Sequence, residues 1–111
     1  MDNGVRVELH PEAREEFRID TFWYEERGVG LGDDFVAAVD ATLQRIKQLP
    51  ESFPAWPGVG RTVRLIRKAS VEGFPYLVAF EQHVDFALVL AVAHEKRRPL
   101  YWLQRASHGP G

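Results

Sequence analysis

FALVLAVAH, from Phe86 to His94, is the stretch that decides the fold, because an unbroken apolar run of this length is typical of a fully buried strand. It passes directly into EKRRPLYWLQR, from Glu95 to Arg105, which holds three consecutive cations, a proline and a Tyr-Trp pair. A central strand that delivers basic and aromatic side chains at its carboxyl end predicts a surface able to hold an anionic partner.

The strands around this central one can be predicted from alternation and turn residues. Arg61 to Ala69, Phe74 to Gln82 and Asp85 to His94 predict a three-strand antiparallel meander. Nearer the amino terminus, Val5 to Leu9 alternates apolar with charged residues, which indicates a short, half-exposed strand.

Two helices are predicted between the first strand and the meander. Pro11 suits the first helical position, and the helix is expected to run to about Arg27. After a glycine-rich turn, apolar residues from Leu31 to Leu49 recur every three or four positions until Pro50 ends the pattern. So short a turn makes the helices antiparallel.

The resulting order, β-α-α-β-β-β, predicts an α+β fold of two layers, with a helical hairpin packed on one face of a small, mainly antiparallel sheet. The other sheet face has no helix to cover it. We therefore expect that open face, together with the carboxyl end of the last strand, to receive a partner.

Length and composition set further bounds. The 111 residues form one domain, 1–111, whose tail from about residue 106 we expect to be disordered. Cysteine is absent, which excludes disulfides and thiolate chemistry. No apolar segment approaches the roughly 18 residues that span a bilayer, and the start lacks a signal-peptide pattern, so we expect a cytoplasmic protein without membrane contact.

The sequence contains no motif that indicates a cofactor-binding or metal-binding site. The glycines of GVGLG, residues 28–32, are not followed by the Lys-Ser/Thr of a phosphate-binding loop, and they lie between helices rather than after a strand. No His, Asp and Glu set occurs at metal-ligand spacing. We expect neither a cofactor nor a metal.

Charge is divided along the chain. Residues 1–60 hold 6 Lys and Arg against 12 Asp and Glu, whereas residues 61–111 hold 8 against 4. The basic half could meet nucleic acid or an acidic protein, or the two halves could simply be two solvated faces. The net charge of -2 does not favour RNA binding, because a protein that competes for RNA phosphates usually carries a large positive excess.

Five segments together resemble the RelE/ParE superfamily, the toxins of bacterial type II toxin-antitoxin pairs. They are LHPEA at 9–13, WYEERGVGLGDDF at 23–35, LPESFP at 49–54, FPYLVAFE at 74–81 and VLAVAHEKRRPLYWLQR at 89–105. The resemblance implies a toxin neutralised by a cognate antitoxin, a small protein whose acidic, disordered carboxyl-terminal segment folds on the toxin. RelE-like members are ribosome-dependent endoribonucleases that cut mRNA, and ParE-like members inhibit DNA gyrase.

The nuclease alternative implies a specific site. Similarity to the RelE-like branch makes Tyr101 the base-stacking residue and puts a catalytic arginine six positions earlier, where this chain has Glu95. An acid there would repel a phosphate unless it acted as a base. The catalytic residues of a nuclease would be drawn from His94, Glu95, Arg64, Arg97, Arg98 and Tyr101.

Three features favour a resemblance to the ParE-like branch: Glu95 in place of the catalytic arginine, the charge balance and the Pro-x-Tyr-Trp ending. It implies a growth-inhibiting toxin that binds gyrase without catalysis; a non-toxic relict that only binds its antitoxin is a third possibility. The residues proposed to bind the target or the antitoxin are Arg64, Lys68, Arg97, Arg98, Tyr101, Trp102 and Arg105. A purely structural alternative makes His94 a strand cap and lets Tyr101 and Trp102 pack the tail onto the sheet.

Overall fold

The computed structural model describes residues 4–60 and 64–107. The helices and strands follow the predicted order, and they are β1 (Arg6–Leu9), α1 (Pro11–Arg27), α2 (Leu31–Gln48), β2 (Ile66–Ser70), β3 (Tyr76–Gln82) and β4 (Phe86–His94). Two 3-10 turns, Pro50–Ser52 and Leu103–Arg105, complete the regular structure of these residues. The predicted α+β fold with a helical hairpin on one face of the sheet is confirmed.

The hairpin turn is shaped by a close approach of the two helices. Gly30 has φ 88°, which favours glycine, and α2 begins directly after it. The Glu25 carboxylate of α1 accepts hydrogen bonds from the backbone N–H groups of Gly30 and Gly32, and so caps α2. A Cβ at Gly32 would lie 3.0 Å from Glu25 Oε1 and from the Thr21 carbonyl oxygen, so a larger residue here would crowd the two helices.

The sheet has the strand order β1-β4-β3-β2, with β4 in the interior. β3 pairs antiparallel with both β2 and β4, while β1 pairs parallel with β4, so the sheet is mixed. β4 is thus paired on both sides, as its apolar sequence predicts.

The predicted boundaries of two strands need correction. β3 begins at Tyr76 rather than Phe74, because Pro75 has no N–H to contribute to the ladder. β2 begins at Ile66 rather than Arg61; Arg64 and Leu65 precede it, and residues 61–63 lie outside the described residues.

The sheet is covered on both faces, so the expectation of an open face is wrong. On the hairpin side, Phe35, Val39 and Ile46 of α2 are fully buried against the sheet. On the other side, Trp102 is 1% exposed and packs with its ring centroid 4.9 Å from that of Trp56. This second cluster forms because the apolar residues on that face of β4 need a cover, which residues after β4 provide.

The expected disorder from residue 106 does not hold for the first two residues of the tail. Ala106 is buried, and the Ser107 backbone N–H and hydroxyl each donate to the Glu81 carboxylate at 2.6 Å. Residues 108–111 lie outside the described residues. None of the described helices combines the length and apolar character needed to cross a membrane.

Candidate functional site

His94 closes β4 and supports the turn after it. Its Nδ1 accepts the Lys96 N–H at 3.1 Å, and its ring lies 5.2 Å from the Tyr76 ring. The Arg97 N–H donates to the His94 carbonyl oxygen, and the Glu95 N–H donates to the Pro75 carbonyl oxygen, each at 2.9 Å. These contacts are those of the strand cap that the structural alternative predicts.

The residues after His94 form an exposed turn, which we call the basic loop, Glu95–Pro99. All five are exposed, and three of them are the consecutive cations Lys96, Arg97 and Arg98. The Arg97 guanidinium lies 4.2 Å from the centroid of the Tyr101 ring, a cation–π contact that holds it in place. The basic loop is therefore a surface of positive charge presented by the central strand.

Leu100 separates the basic loop from the carboxyl-terminal residues of the chain. Its φ of 60° is the one positive φ of a non-glycine residue among residues 4–60 and 64–107. The chain turns here and returns over the sheet as a segment that we call the C-terminal strap, Tyr101–Ser107. Left-handed backbone is costly for leucine and persists only where the surrounding contacts fix it.

The first anchor of the strap is Glu16 on α1. The Tyr101 hydroxyl donates to Glu16 at 2.8 Å, and both terminal nitrogens of Arg105 donate to the same carboxylate at 3.0 Å. Arg105 also donates to the Leu90 carbonyl oxygen at 3.0 Å, and its side chain is only 10% exposed. Burial, together with the hydrogen bond to Glu16 and the charge of that carboxylate, raises the pKa of Tyr101 well above its usual value.

The second anchor is Glu81, a fully buried carboxylate on β3. It accepts both hydrogen bonds from Ser107 and lies 2.6 Å from the His83 ring nitrogen Nε2. Burial works to raise the pKa of Glu81, but the hydrogen bonds from Ser107 and His83 outweigh it and lower the pKa. The C-terminal strap is thus tied to α1 at one end and to β3 at the other.

Neither anchor residue was among those predicted for the site. Glu81 could have been found, because a carboxylate inside the apolar strand YLVAFEQ requires a buried partner. Glu16 could not be told from its neighbours Glu12 and Glu15 by sequence, since all three occupy the first turns of α1.

The residues predicted for a nuclease are not all brought together. Arg64 precedes β2 and lines a groove with Gln82 and His83, whereas His94 pairs with Tyr76 at the other end of β3. The length of β3 separates these ends by on the order of 20 Å. His94, Glu95, Arg97, Arg98 and Tyr101 do meet around one pocket.

Of the residues predicted to bind a partner, only some present their side chains. Arg97 and Arg98 are exposed, and the Lys68 amine lies 5.8 Å from the centroid of the Trp56 ring. The prediction that Trp102 and Arg105 bind a partner needs correction. Trp102 is buried in the second cluster, and Arg105 is engaged by Glu16. Tyr101 exposes part of its ring, but its hydroxyl is engaged.

A pocket of about 160 Å³ lies between the basic loop and the sheet, and we call it the loop pocket. Its lining is mainly apolar, and the polar side chains that reach it are those of His94, Tyr101 and the basic loop, which contributes Glu95, Arg97 and Arg98. The walls include Trp56, Leu77, Ala93, Leu100 and Trp102, with Arg97 and Arg98 from the basic loop. Within the described part of the chain, no three His, Asp or Glu side chains are grouped to hold a metal ion.

The likeness of this chain to known proteins lies in its structure alone. No family model matches the sequence, and no curated protein matches it. Among solved structures, the chain is similar to one from the chromosomal ParDE TA system of P. aeruginosa, with a TM-score of 0.64 over 81% of this chain and 95% of that chain. The sequence identity is 12%, so the likeness shows a shared fold.

Proposed function

We propose that this protein is the toxin of a type II toxin-antitoxin module and that it acts in the cytoplasm by binding and inhibiting DNA gyrase, as ParE-like toxins do. A cognate antitoxin neutralises it. The fold shared with a chain of a ParDE system supports the general class. The contacts of the C-terminal strap carry the choice of binding over catalysis.

A nuclease would need an acid, a base and a phosphate clamp free to meet RNA. Here the Tyr101 hydroxyl donates to Glu16, Arg105 is held by the same carboxylate, and His94 accepts a backbone hydrogen bond. Catalytic hydrogen bonds can rearrange when substrate binds, but a tyrosine that closes the fold is poorly placed to leave it. The engaged Tyr101–Glu16–Arg105 group is the observation on which the proposal rests.

The remaining cations suit recognition of a protein. Lys96, Arg97 and Arg98 are exposed together and have Glu95 as the one acid within the basic loop. Such a cluster raises the association rate with an acidic partner and sets the orientation of binding. Charge complementarity of this kind requires no chemistry on the partner.

The antitoxin has further surface to bind. Ile19, Phe22 and Trp23 are 51%, 61% and 46% exposed and lie on one side of α1, where an amphipathic helix could bury them. Addition of a strand at β2 is disfavoured, because residues 54–56 already bond to the outer edge of β2 through the Trp56 and Lys68 N–H groups. β1 is the other edge of the sheet.

Inducible expression in a bacterial host tests the proposal. Gyrase inhibition predicts arrested growth, an induced DNA-damage response and intact mRNA, with rescue by co-expression of the neighbouring antitoxin gene. His94→Ala should retain full toxicity, because His94 then serves only as a strand cap. Codon-positioned mRNA cuts that disappear in His94→Ala would instead establish a ribosome-dependent endoribonuclease. Harmless expression combined with antitoxin binding would identify a non-toxic relict.

A further inference from the structure

We propose that the loop pocket receives a single apolar side chain of the antitoxin, and that carboxylates on either side of that residue pair with Arg97 and Arg98. This inference rests on the proposed function and gives the antitoxin segment a sequence pattern: an aliphatic residue between acidic ones. The pocket, its rim charges and its rigidity each support it.

The size and lining of the loop pocket suit one aliphatic side chain. A volume of about 160 Å³ lies below the roughly 300–1,000 Å³ of pockets that hold small molecules or cofactors. Leu77, Ala93 and Trp102 line it with apolar atoms. Because most of the lining surface is apolar, a side chain that displaces water from it gains free energy.

The rim of the pocket selects the neighbours of that side chain. Arg97 and Arg98 are exposed and line the pocket, and the Lys68 amine lies 5.8 Å from the centroid of the ring of Trp56, another lining residue. Guanidinium groups bind carboxylates through paired, charge-assisted hydrogen bonds. Glu95 also lines the pocket, but Arg97 and Arg98 outnumber it, so an acidic segment fits the rim better than a basic or purely apolar one.

The pocket is also formed in advance. Stacking on Tyr101 limits the rotamers of Arg97, and Tyr101 is itself fixed by Glu16. Leu100 keeps its left-handed backbone because its side chain packs with the second core cluster around Trp102. Ordering these groups before binding reduces the entropy lost on association.

The three tryptophans of this chain make a direct test possible. Trp56 and Trp102 line the loop pocket, whereas Trp23 lies on α1 with its ring against Arg27. Nitrogen-15 spectra of the full chain would be recorded with a synthetic heptapeptide that carries one leucine between two pairs of aspartates. The indole signals of Trp56 and Trp102 should shift with added peptide, and that of Trp23 should stay in place.

Matched peptides and variants separate the two parts of the inference. Replacing the peptide leucine with serine, or its aspartates with lysines, should abolish the shifts. Arg97→Glu with Arg98→Glu should weaken peptide binding at least about tenfold at low salt, while Arg14→Glu, an exposed arginine of α1, should not change it. Equal binding of the serine and leucine peptides, or shifts at Trp23 alone, would overturn the assignment.

The full antitoxin distinguishes this inference from the proposed function. The Arg97→Glu, Arg98→Glu chain should bind the antitoxin about tenfold more weakly than the parent and resist neutralisation at matched expression. Unchanged neutralisation would overturn the role of the pocket and leave the toxin assignment standing. A charge-reversed chain that is still neutralised but no longer inhibits gyrase would also overturn it, because the pocket would then serve the target. A harmless parent chain would sink the proposed function without altering the peptide result.

Discussion

Two adjacent stretches after β4, the basic loop and the C-terminal strap, differ in almost every physical respect although they read as one basic and aromatic sequence. The basic loop exposes all five of its side chains, whereas the strap buries Trp102 and Ala106 and ties Arg105 to Glu16. The division falls at Leu100, where the backbone turns left-handed. The cations of the basic loop are available to a partner, whereas Arg105, the one cation of the strap, already has a partner within the fold.

The difference also explains part of the charge division along the chain. Glu16, from the acidic half, accepts hydrogen bonds from Tyr101 and Arg105 of the basic half. Some of the segregated charge is therefore used to close the fold rather than to attract a partner. Within the basic loop, the cations left for recognition are the exposed Lys96, Arg97 and Arg98.

Truncating Trp102 should have the largest effect on stability. Trp102→Ala removes a buried indole that packs on Trp56, and we expect it to lower the free energy of unfolding by about 3–5 kcal/mol. Trp23→Ala is the matched control, because Trp23 is 46% exposed and should cost far less. Urea denaturation followed by circular dichroism measures both. Equal losses would mean that the strap does not form part of the core.

Glu81→Gln should have the second largest effect and lower the free energy of unfolding by about 2–3 kcal/mol, because hydrogen bonds to a buried carboxylate are lost or weakened. The pKa of Glu81 is lowered in the folded state, so its ionised form contributes stability above pH 4.5, and that contribution is lost as the pH falls through the folded pKa. Denaturation midpoints between pH 3 and 7 should therefore depend less on pH in Glu81→Gln than in the parent. The same acid dependence in both proteins would contradict the role of this carboxylate.

Arg105→Lys should lower the free energy of unfolding by about 1–2 kcal/mol, since lysine keeps the charge but cannot make the paired hydrogen bonds to Glu16. The partial exposure of Glu16 limits the loss. Thermal unfolding of this variant beside Arg14→Lys, an exposed arginine of α1, measures it. A stability equal to that of the control would show that the paired hydrogen bonds contribute nothing.

Charge reversal in the basic loop should have the smallest effect on stability. Arg98→Glu is expected to change the free energy of unfolding by less than about 0.5 kcal/mol, because the side chain is exposed. The same variant should weaken antitoxin binding, as measured by titration calorimetry. A large loss of stability would mean that the basic loop belongs to the strap and that the comparison fails.

The fold was predictable where apolar periodicity carried the information. The spacing from Leu31 to Leu49 predicts α2, and the unbroken run before His94 predicts the central strand. The cover on the second sheet face was predicted only as an alternative, in which Tyr101 and Trp102 pack the tail onto the sheet. The sequence could not favour that alternative, because the path of the tail depends on Leu100, a non-glycine residue, adopting a left-handed backbone. Sequence rules assign that conformation to glycine or asparagine.

The exposure of cations at the carboxyl end of β4 was predictable, but which of them stay exposed was not. The carboxyl end of β4 does present cations, yet Arg105 and Trp102 are structural and Arg64 lies at the far end of β3. Which cation has an internal partner depends on contacts between residues nearly ninety positions apart, such as Glu16 and Arg105. No local pattern reports such a pair.

The most direct test of binding without catalysis is a DNA supercoiling reaction with purified gyrase and this protein. We predict that the parent and His94→Ala inhibit supercoiling at the same concentration, since His94 has no chemical role in the proposed function. A parent protein that leaves gyrase untouched but cuts mRNA on purified ribosomes, with that cutting lost in His94→Ala, would contradict the account.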